Sequence, residues 1–303
     1  MGLGIGAFLT RFYGGTMDQP SLRYAHIFIK KNNVRVKEEA GKLLQFLYAS
    51  RVEAITVTEY QETTGRPQMV FVLGGDGTFL SAVHHYAPLG IPLLGIDMGG
   101  LGFLAEVSVE NMLGAAEKVL RGDFMVEERM MVQCEIVHQD GTVEADFALN
   151  DVVVYRGPFA QMIRLSTYID EEFLASFPAD GLIVATPTGS SAYSLSAGGP
   201  VIFPTLAVFI VTPICAHTLY ARSIVVPPNS CVKVVLESLK EGTMVTLDGQ
   251  RGYSLSRGEY LKVHRAPFPA HLVKFSEERH FYSLLRGKLS WGIDIRKRVE
   301  QEC

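Results

Sequence analysis

A run of Met69-Val70-Phe71-Val72-Leu73-Gly74-Gly75-Asp76-Gly77-Thr78-Phe79-Leu80 leaves the backbone few choices. Five apolar residues read as a buried strand, three glycines break it, and Thr78 leads into a segment with helical spacing. Glycines let the main chain approach a bulky anion, and N–H groups at a helix start attract phosphate. Asp76 is the odd member. A phosphate-cradling loop normally carries a cation, because a carboxylate beside a polyphosphate is repelled. The aspartate makes chemical sense if it holds a metal ion or accepts a proton during transfer. The same residues also read as a tight turn in which Asp76 bonds its own main chain.

Around this loop, strand-type and helix-type segments alternate. Residues 24–30, 54–58, 69–73 and 91–96 read as strands. Residues 36–51, with Leu43, Leu44, Phe46 and Leu47 as the apolar stripe, read as a helix, as do 78–87 and 109–121. Alternation implies right-handed crossovers and a largely parallel sheet, with ligands beyond the carboxyl ends of its strands. Asp76 and Asp97 both lie at such ends. From Asp123 onward, short β-type runs follow one another at 132–138, 145–149, 152–155, 163–169, 182–185, 207–211, 232–237, 244–247 and 260–264. Gln139-Asp140-Gly141 is a hairpin signal between the first two.

The expected fold is an α/β N-terminal domain with a largely parallel sheet, plus a β-rich, sandwich-like C-terminal domain, with the active site in the cleft between them. Residues 1–20 are expected to be a flexible extension, 21–122 the α/β domain carrying the glycine loop, and 123–275 the β-rich domain. Within 276–303, an amphipathic helix over 280–292 is expected to pack back near the domain seam, or to lie on the second domain as a plain surface helix.

With 303 residues the chain is long enough for two domains of ordinary size. A net charge of −4, with no block of like charges, argues against binding to a nucleic-acid backbone. Cys134, Cys215, Cys231 and Cys303 show no Cys-x-x-Cys pairing, which suits a reducing cytoplasm and neither a disulfide framework nor a zinc site. Residues 1–10 are apolar, but they lack a basic leader and are too few to span a bilayer, so no membrane partner is expected.

A second focus runs from Asp180-Gly181 through Thr186-Pro187-Thr188-Gly189-Ser190-Ser191-Ala192-Tyr193-Ser194 to Ser196. Its small side chains let a ligand lie against the backbone, and its hydroxyls and N–H groups supply hydrogen bonds. Tyr193 offers a ring face to a base. A Ser/Thr-rich connector capping a helix is the plainer alternative. Asn150-Asp151 places an amide, able to read a purine edge, beside a carboxylate, able to accept from ribose hydroxyls. An Asx pair at a strand edge is equally a turn, and Asp248-Gly249-Gln250 is equally a hairpin. His217 reads as a partly buried, satisfied histidine or as a phosphate-orienting one.

Gly74-Gly75-Asp76-Gly77-Thr78 resembles a signature shared by NAD kinases, diacylglycerol-type lipid kinases and phosphofructokinases. The later segments choose among them. Leu101-Gly102-Phe103-Leu104, Asn150-Asp151, Asp180-Gly181, Thr186-Pro187-Thr188-Gly189-Ser190, Ala192-Tyr193-Ser194, His217, Asp248-Gly249-Gln250 and Leu289-Ser290-Trp291-Gly292 together resemble the NAD kinase family over residues 69–292. The Gly-Thr-x-Asn-Asp-Phe segment of the lipid kinases and the Pro-Lys-Thr-Ile-Asp-Asn-Asp segment of the phosphofructokinases do not occur.

The resemblance implies phosphoryl transfer from ATP, with a divalent ion (Mg²⁺), to the 2′-hydroxyl of the adenosine ribose of NAD. It implies that Asp76 is the base and that Gly74, Gly75, Gly77 and Thr78 form the phosphate-donor loop. Gly77, Asn150, Asp151, Asp180, Ser191, Ala192, Tyr193, Ser196 and Gln250 would join Asp76 around NAD. Asp180 would reach a nucleotide held largely by a neighbouring subunit, in a homotetramer or homodimer. The chain departs from the family pattern at Asp151 (glutamate is commoner), Asp97 (asparagine) and Ser191 (threonine). Pro178-Ala179 replaces a polar or basic pair, so a cation beside Asp180 is expected to be missing. Two other readings are a lipid kinase and a catalytically silent nucleotide sensor, the latter favoured by Asp97 and Asp151.

Overall fold

The computed structural model describes residues 22–30, 33–58, 64–100, 102–157, 162–218, 220–237, 242–275 and 281–289. The expected extension over 1–20 lies outside them.

Strands β1 (Tyr24–Ile29), β2 (Glu53–Val57), β3 (Met69–Leu73) and β4 (Leu93–Asp97) lie side by side in the order β2-β1-β3-β4, all parallel. Side chains alternate between the two faces of the sheet. Ile27, Phe71, Leu94 and Ile96 meet helices α1 (Val34–Ala49) and α3 (Met112–Arg121) on one face. Phe28, Val70, Val72 and Leu93 meet α2 (Asp76–Tyr86) on the other. Helix α1 begins two residues earlier than the sequence suggests, because the Asn33 side chain accepts from the Val36 N–H and caps its first turn. Helix α2 likewise starts at Asp76, not after Thr78, with Gly75 as its N-cap. Asp76 thereby sits in the first turn, where the helix dipole favours an anion.

Two strands from beyond residue 122 complete this sheet, which also holds the short β5 (Val107–Ser108). β6 (Met125–Arg129) pairs antiparallel with β19 (Ala270–Lys274), and β19 runs parallel to β4 through Leu272 and Leu93. The chain therefore leaves the first domain after β6 and returns to it at β19.

Between them lie two six-stranded antiparallel sheets packed face to face. One takes the order β11-β10-β15-β18-β7-β8, from β7 (Val132–Val137), β8 (Val143–Ala148), β10 (Ile163–Ile169), β11 (Glu172–Ala179), β15 (Val232–Leu236) and β18 (Tyr260–Arg265). The other takes the order β14-β13-β12-β9-β16-β17, from β9 (Asp151–Arg156), β12 (Gly181–Ala185), β13 (Phe209–Ile214), β14 (Ile224–Val226), β16 (Thr243–Leu247) and β17 (Arg251–Leu255). Val132, Cys134, Leu165, Val234 and Leu261 of the first meet Val152, Val154, Leu182, Val184 and Val245 of the second in one apolar core. This is the expected α/β domain joined to a β-sandwich.

The short helix α4 (Tyr193–Ser196) follows a tight turn over Thr188–Ser191. Helix α5 (Phe281–Leu289) touches both halves. The Phe281 and Tyr282 rings lie 5.2 and 6.0 Å from that of Phe203, Leu285 is buried, and the Lys288 ammonium is 5.4 Å from the Phe103 ring. No described helix is long and apolar enough to cross a membrane.

Candidate active site

The glycine loop closes on itself through contacts that exclude side chains. A Cβ on Gly74 would lie 2.3 Å from the Thr78 hydroxyl, and Thr78 is buried. Asp76 does not bond its own loop, as the tight-turn alternative would have it. Its Oδ2 accepts from the Phe103 N–H at 3.0 Å and its Oδ1 from the Leu104 N–H at 3.1 Å. The carboxylate is half-buried, and each oxygen keeps capacity for another donor. Gly102 makes this approach possible, since a Cβ there would lie 2.0 Å from Oδ1. Asp97 is the aspartate that bonds its own loop, accepting from the Gly100 N–H at 2.7 Å. Its negative charge is spent on that turn.

Across the seam, Asn150, Asp151, Ala192 and Tyr193 line one pocket of about 390 Å³, together with Val153, Tyr155, Thr246, Asp248 and Gly249. Asp151, Val153 and Tyr155 alternate along β9 and so share its outer face. The Tyr193 ring is exposed at the rim. Asp248 organises the floor. Its carboxylate accepts from the N–H groups of Asn150 (2.7 Å), Leu149 (2.9 Å) and Asp151 (3.2 Å). The hairpin reading of Asp248-Gly249 holds as well: Leu247 pairs with Arg251 across a three-residue loop, the Gln250 N–H donates to the Leu247 carbonyl at 3.0 Å, and the two central residues of that turn have positive φ, 53° and 62°.

Asp151 lies almost wholly buried beside this second carboxylate. Burial first, and the Asp248 charge second, push its carboxyl up to about 7. Burial raises Asp248 too, while its three N–H donors pull the other way. Asp248 is therefore the member of the pair that keeps the charge.

The hydroxyl-rich turn is stapled to the same strand start. The Thr186 N–H donates to the Asn150 carbonyl at 2.8 Å, and the Thr186 hydroxyl to the Leu149 carbonyl at 2.5 Å. A Cβ on Gly189 would lie 2.1 Å from the Asn150 carbonyl oxygen. Ser190 ties the turn to Ile202, and Ser191 donates to the Thr188 carbonyl. These hydroxyls shape the loop.

The two halves meet at Gln250, the residue after the pocket-lining Gly249. Its Nε2 donates to the Gly77 carbonyl at 2.6 Å, and its Oε1 accepts from the Ser81 hydroxyl at 2.8 Å. Farther along α2, His84 Nδ1 lies 3.5 Å from Asp146, which also takes Arg251 Nε at 2.6 Å and the Tyr253 hydroxyl at 2.8 Å.

Asp180 and Ser196 stand apart from this assembly. Ser196 is exposed at the end of α4 and does not line the pocket. Asp180 precedes β12, whose Gly181 pairs with Tyr155 and whose Ala185 pairs with Asp151. It lies at the opposite end of the sheet, roughly 15 Å from Asp151 along the strand. The cation expected to be missing there is present: Arg156 Nε bonds Asp180 Oδ1 at 2.6 Å, from the neighbouring strand and not from the preceding pair. His217 is exposed, contrary to the partly buried reading.

Sequence reasoning passed over Arg129, Arg156 and Lys30. Arg129 is buried between Glu127 and the Thr188 hydroxyl. An arginine ending a charged strand gave no signal that it would be buried.

Comparison with known proteins places this geometry in a family. Residues 25–124 match the ATP-NAD kinase N-terminal domain and residues 149–275 the ATP-NAD kinase C-terminal domain. The chain is 42% identical over 270 residues to an NAD kinase of Moorella thermoacetica, covering 85% of this chain and 86% of that protein. It is also 42% identical over 278 residues to an NAD kinase of Geotalea daltonii, covering 88% and 98%. Among solved structures, an Archaeoglobus fulgidus NAD kinase in complex with ATP superposes with a TM-score of 0.73 at 28% identity, over 89% of this chain and 100% of that one. A yeast NADH kinase complexed with NADH shares the fold, with a TM-score of 0.83 at 24% identity over 92% and 90%.

Proposed function

The chain belongs to the ATP-NAD kinase family, and on that premise we propose how its residues move the terminal phosphoryl group of ATP to the 2′-hydroxyl of the adenosine ribose of NAD. The lipid-kinase and silent-sensor readings give way to it. In this reaction the ribose oxygen bonds to the γ-phosphorus, the bond from that phosphorus to the bridging oxygen of ADP breaks, and the hydroxyl proton must go to a base.

Asp76 is that base. Two backbone N–H groups hold its carboxylate in one orientation, and its free oxygen capacity is available to the hydroxyl. Gly74, Gly75, Gly77 and Thr78 form the loop that receives the donor phosphates. Asn150 and Asp151 hold the adenosine of NAD in their shared pocket, with Ala192 and the Tyr193 ring against it. Ser191, at the end of the preceding turn, and Ser196, at the exposed end of α4, reach the dinucleotide from outside that pocket. Gln250 carries the reading. It joins the rim of that pocket to the Gly77 carbonyl, so the nucleotide and the loop are neighbours.

Asp180 and Arg156, at the far end of the sheet, serve a nucleotide seated mainly on a second copy in a homodimer or homotetramer. The divalent ion, Mg²⁺, is assigned to the polyphosphate of ATP. Among the described residues no three His, Cys, Asp or Glu side chains converge on one point, whereas Mg²⁺ commonly rides on substrate phosphates with one or two carboxylates. The free thiols of Cys134, Cys215 and Cys231 fit a cytoplasmic enzyme.

The test is an NADP-forming assay, with ATP and with polyphosphate as donors, on the wild type and on Asp76→Asn. Turnover is expected to fall by on the order of 10²-fold or more, with a modest change in the KM for NAD. Near-normal turnover of the variant removes Asp76 as the base.

A further inference from the structure

We propose that Lys30 is a donor-phosphate-binding residue: its ammonium supplies, from another strand, the cation that the glycine loop lacks. This rests on the kinase reading of the loop. β1 is an interior strand of the parallel sheet, and its Ile29 pairs with Leu73. Lys30 therefore leaves the sheet level with Gly74, at the carboxyl end where ligands of such sheets collect. Its Nζ comes within 3.7 Å of the point a Gly77 Cβ would occupy, and Gln250 Nε2 within 3.9 Å of the same point. A cation, an amide donor and the first turn of α2 thus border one small space, which Gly77 keeps free of a side chain.

The chemistry of that space calls for a cation. A triphosphate entering it meets the Asp76 carboxylate, and two like charges a few ångströms apart oppose binding. The helix dipole of α2 offsets part of this, but Asp76 in the first turn already draws on it. Among the described residues, Lys30 forms no ion pair with a carboxylate, so its ammonium keeps all its donors for a ligand. A flexible lysine suits this role, binding phosphate as a point charge that follows the group as it moves. Lys30 is also exposed, so its removal opens no cavity in the core.

The test compares Lys30→Met and Lys30→Arg with the wild type, measuring KM for ATP and for NAD, kcat, and inhibition by inorganic triphosphate competing with ATP. For Lys30→Met the KM for ATP is expected to rise by about 10- to 100-fold, while the KM for NAD stays within about twofold. Inhibition by triphosphate weakens by a similar factor, and Lys30→Arg recovers most of the loss. Raising the salt concentration is expected to weaken ATP use more in the wild type than in Lys30→Met. An unchanged KM for ATP overturns the proposal. So does a rise confined to the KM for NAD, which would assign the ammonium to the dinucleotide. Failure of the kinase reading looks different, since the wild type would then form no NADP.

Discussion

Gly102→Ala tests whether the orientation of Asp76 is set from outside its own loop. The added Cβ would lie 2.0 Å from Asp76 Oδ1 and 2.7 Å from Cγ. Ordinary carbon–oxygen contact needs roughly 3.3 Å, so one partner must move by about 1.3 Å. The backbone conformation of Gly102 imposes no strain of its own, so the collision is the whole perturbation. If the carboxylate moves, its bonds to the Phe103 and Leu104 N–H groups, now 3.0 and 3.1 Å, are carried beyond hydrogen-bond range. If the 102–104 segment moves, the same two bonds break. A misplacement of about 1 Å at a reacting group lowers turnover by roughly 10²-fold. Two lost bonds to a part-exposed carboxylate destabilise the fold by roughly 1–3 kcal/mol, since water replaces part of them. The assay is the rate of NADP formation beside a thermal melt. Because Gly102 acts through Asp76, adding Asp76→Asn to Gly102→Ala should lower turnover no further than Asp76→Asn alone. A Gly102→Ala enzyme with turnover within about threefold of wild type would refute the reasoning, as would full additivity in the double variant.

Two further expectations concern the pocket. Asp151 has a folded pKa raised to about 7 by burial and by Asp248, above the ordinary carboxylate value of the unfolded chain. Its contribution to stability is therefore present in full below about pH 4 and is lost as pH rises through about 7; three pH units at ~1.36 kcal/mol each bound the effect near 4 kcal/mol. Asp151→Asn should melt close to wild type near pH 4 and clearly above it near pH 8.5, and an equal offset at both would sink the assignment. Gly189→Ala would drive a Cβ to 2.1 Å from the Asn150 carbonyl oxygen. It should raise the KM for NAD by about tenfold or more and leave the KM for ATP nearly unchanged, as substrate titrations can decide.

The strand–glycine–helix core of the first domain was legible because every signal there is local. Apolar β3, three glycines and the stripe of α2 follow one another within 18 residues, from Met69 to Tyr86. Strands whose pattern reflects an edge position were not legible. β11 carries exposed Phe173 and Leu174, and its turn from β10 uses Asp170-Glu171, both at positive φ, in place of the usual Asn-Gly. β6 reads Met-Val-Glu-Glu-Arg, a charged run that becomes a strand only because β19 pairs with it from more than a hundred residues away. The site divides in the same way. Asn150-Asp151 and Asp248-Gly249 each look like turns in isolation, and the three hydrogen bonds that make them one pocket floor span nearly a hundred positions. No spacing rule shows that Gly102 must admit a carboxylate from Asp76, or Gly189 a carbonyl from Asn150. Those requirements exist only after the chain has folded.

The same long-range packing determines how the two halves can move. Domains joined by small polar interfaces are expected to swing relative to one another. Here the apolar cluster beneath α2 is shared. Phe79, Leu80, Ala82 and Val83, which follow Asp76, pack in one cluster with Met131, Leu149 and Ala266 from the second domain. Phe147 and Phe268 close its side with ring centroids 4.8 Å apart. Leu149 is fully buried in that cluster, and the next residue is Asn150 of the pocket. Asp76 and the pocket at Asn150 are thus anchored, through immediate neighbours in sequence, to one close-packed interior, which resists deformation. The chain also crosses between the halves twice, after β6 and before β19, and both strands lie within the first sheet. A wide hinge opening would break that core. The distance between Asp76 and the pocket is therefore set by the packing of this shared core.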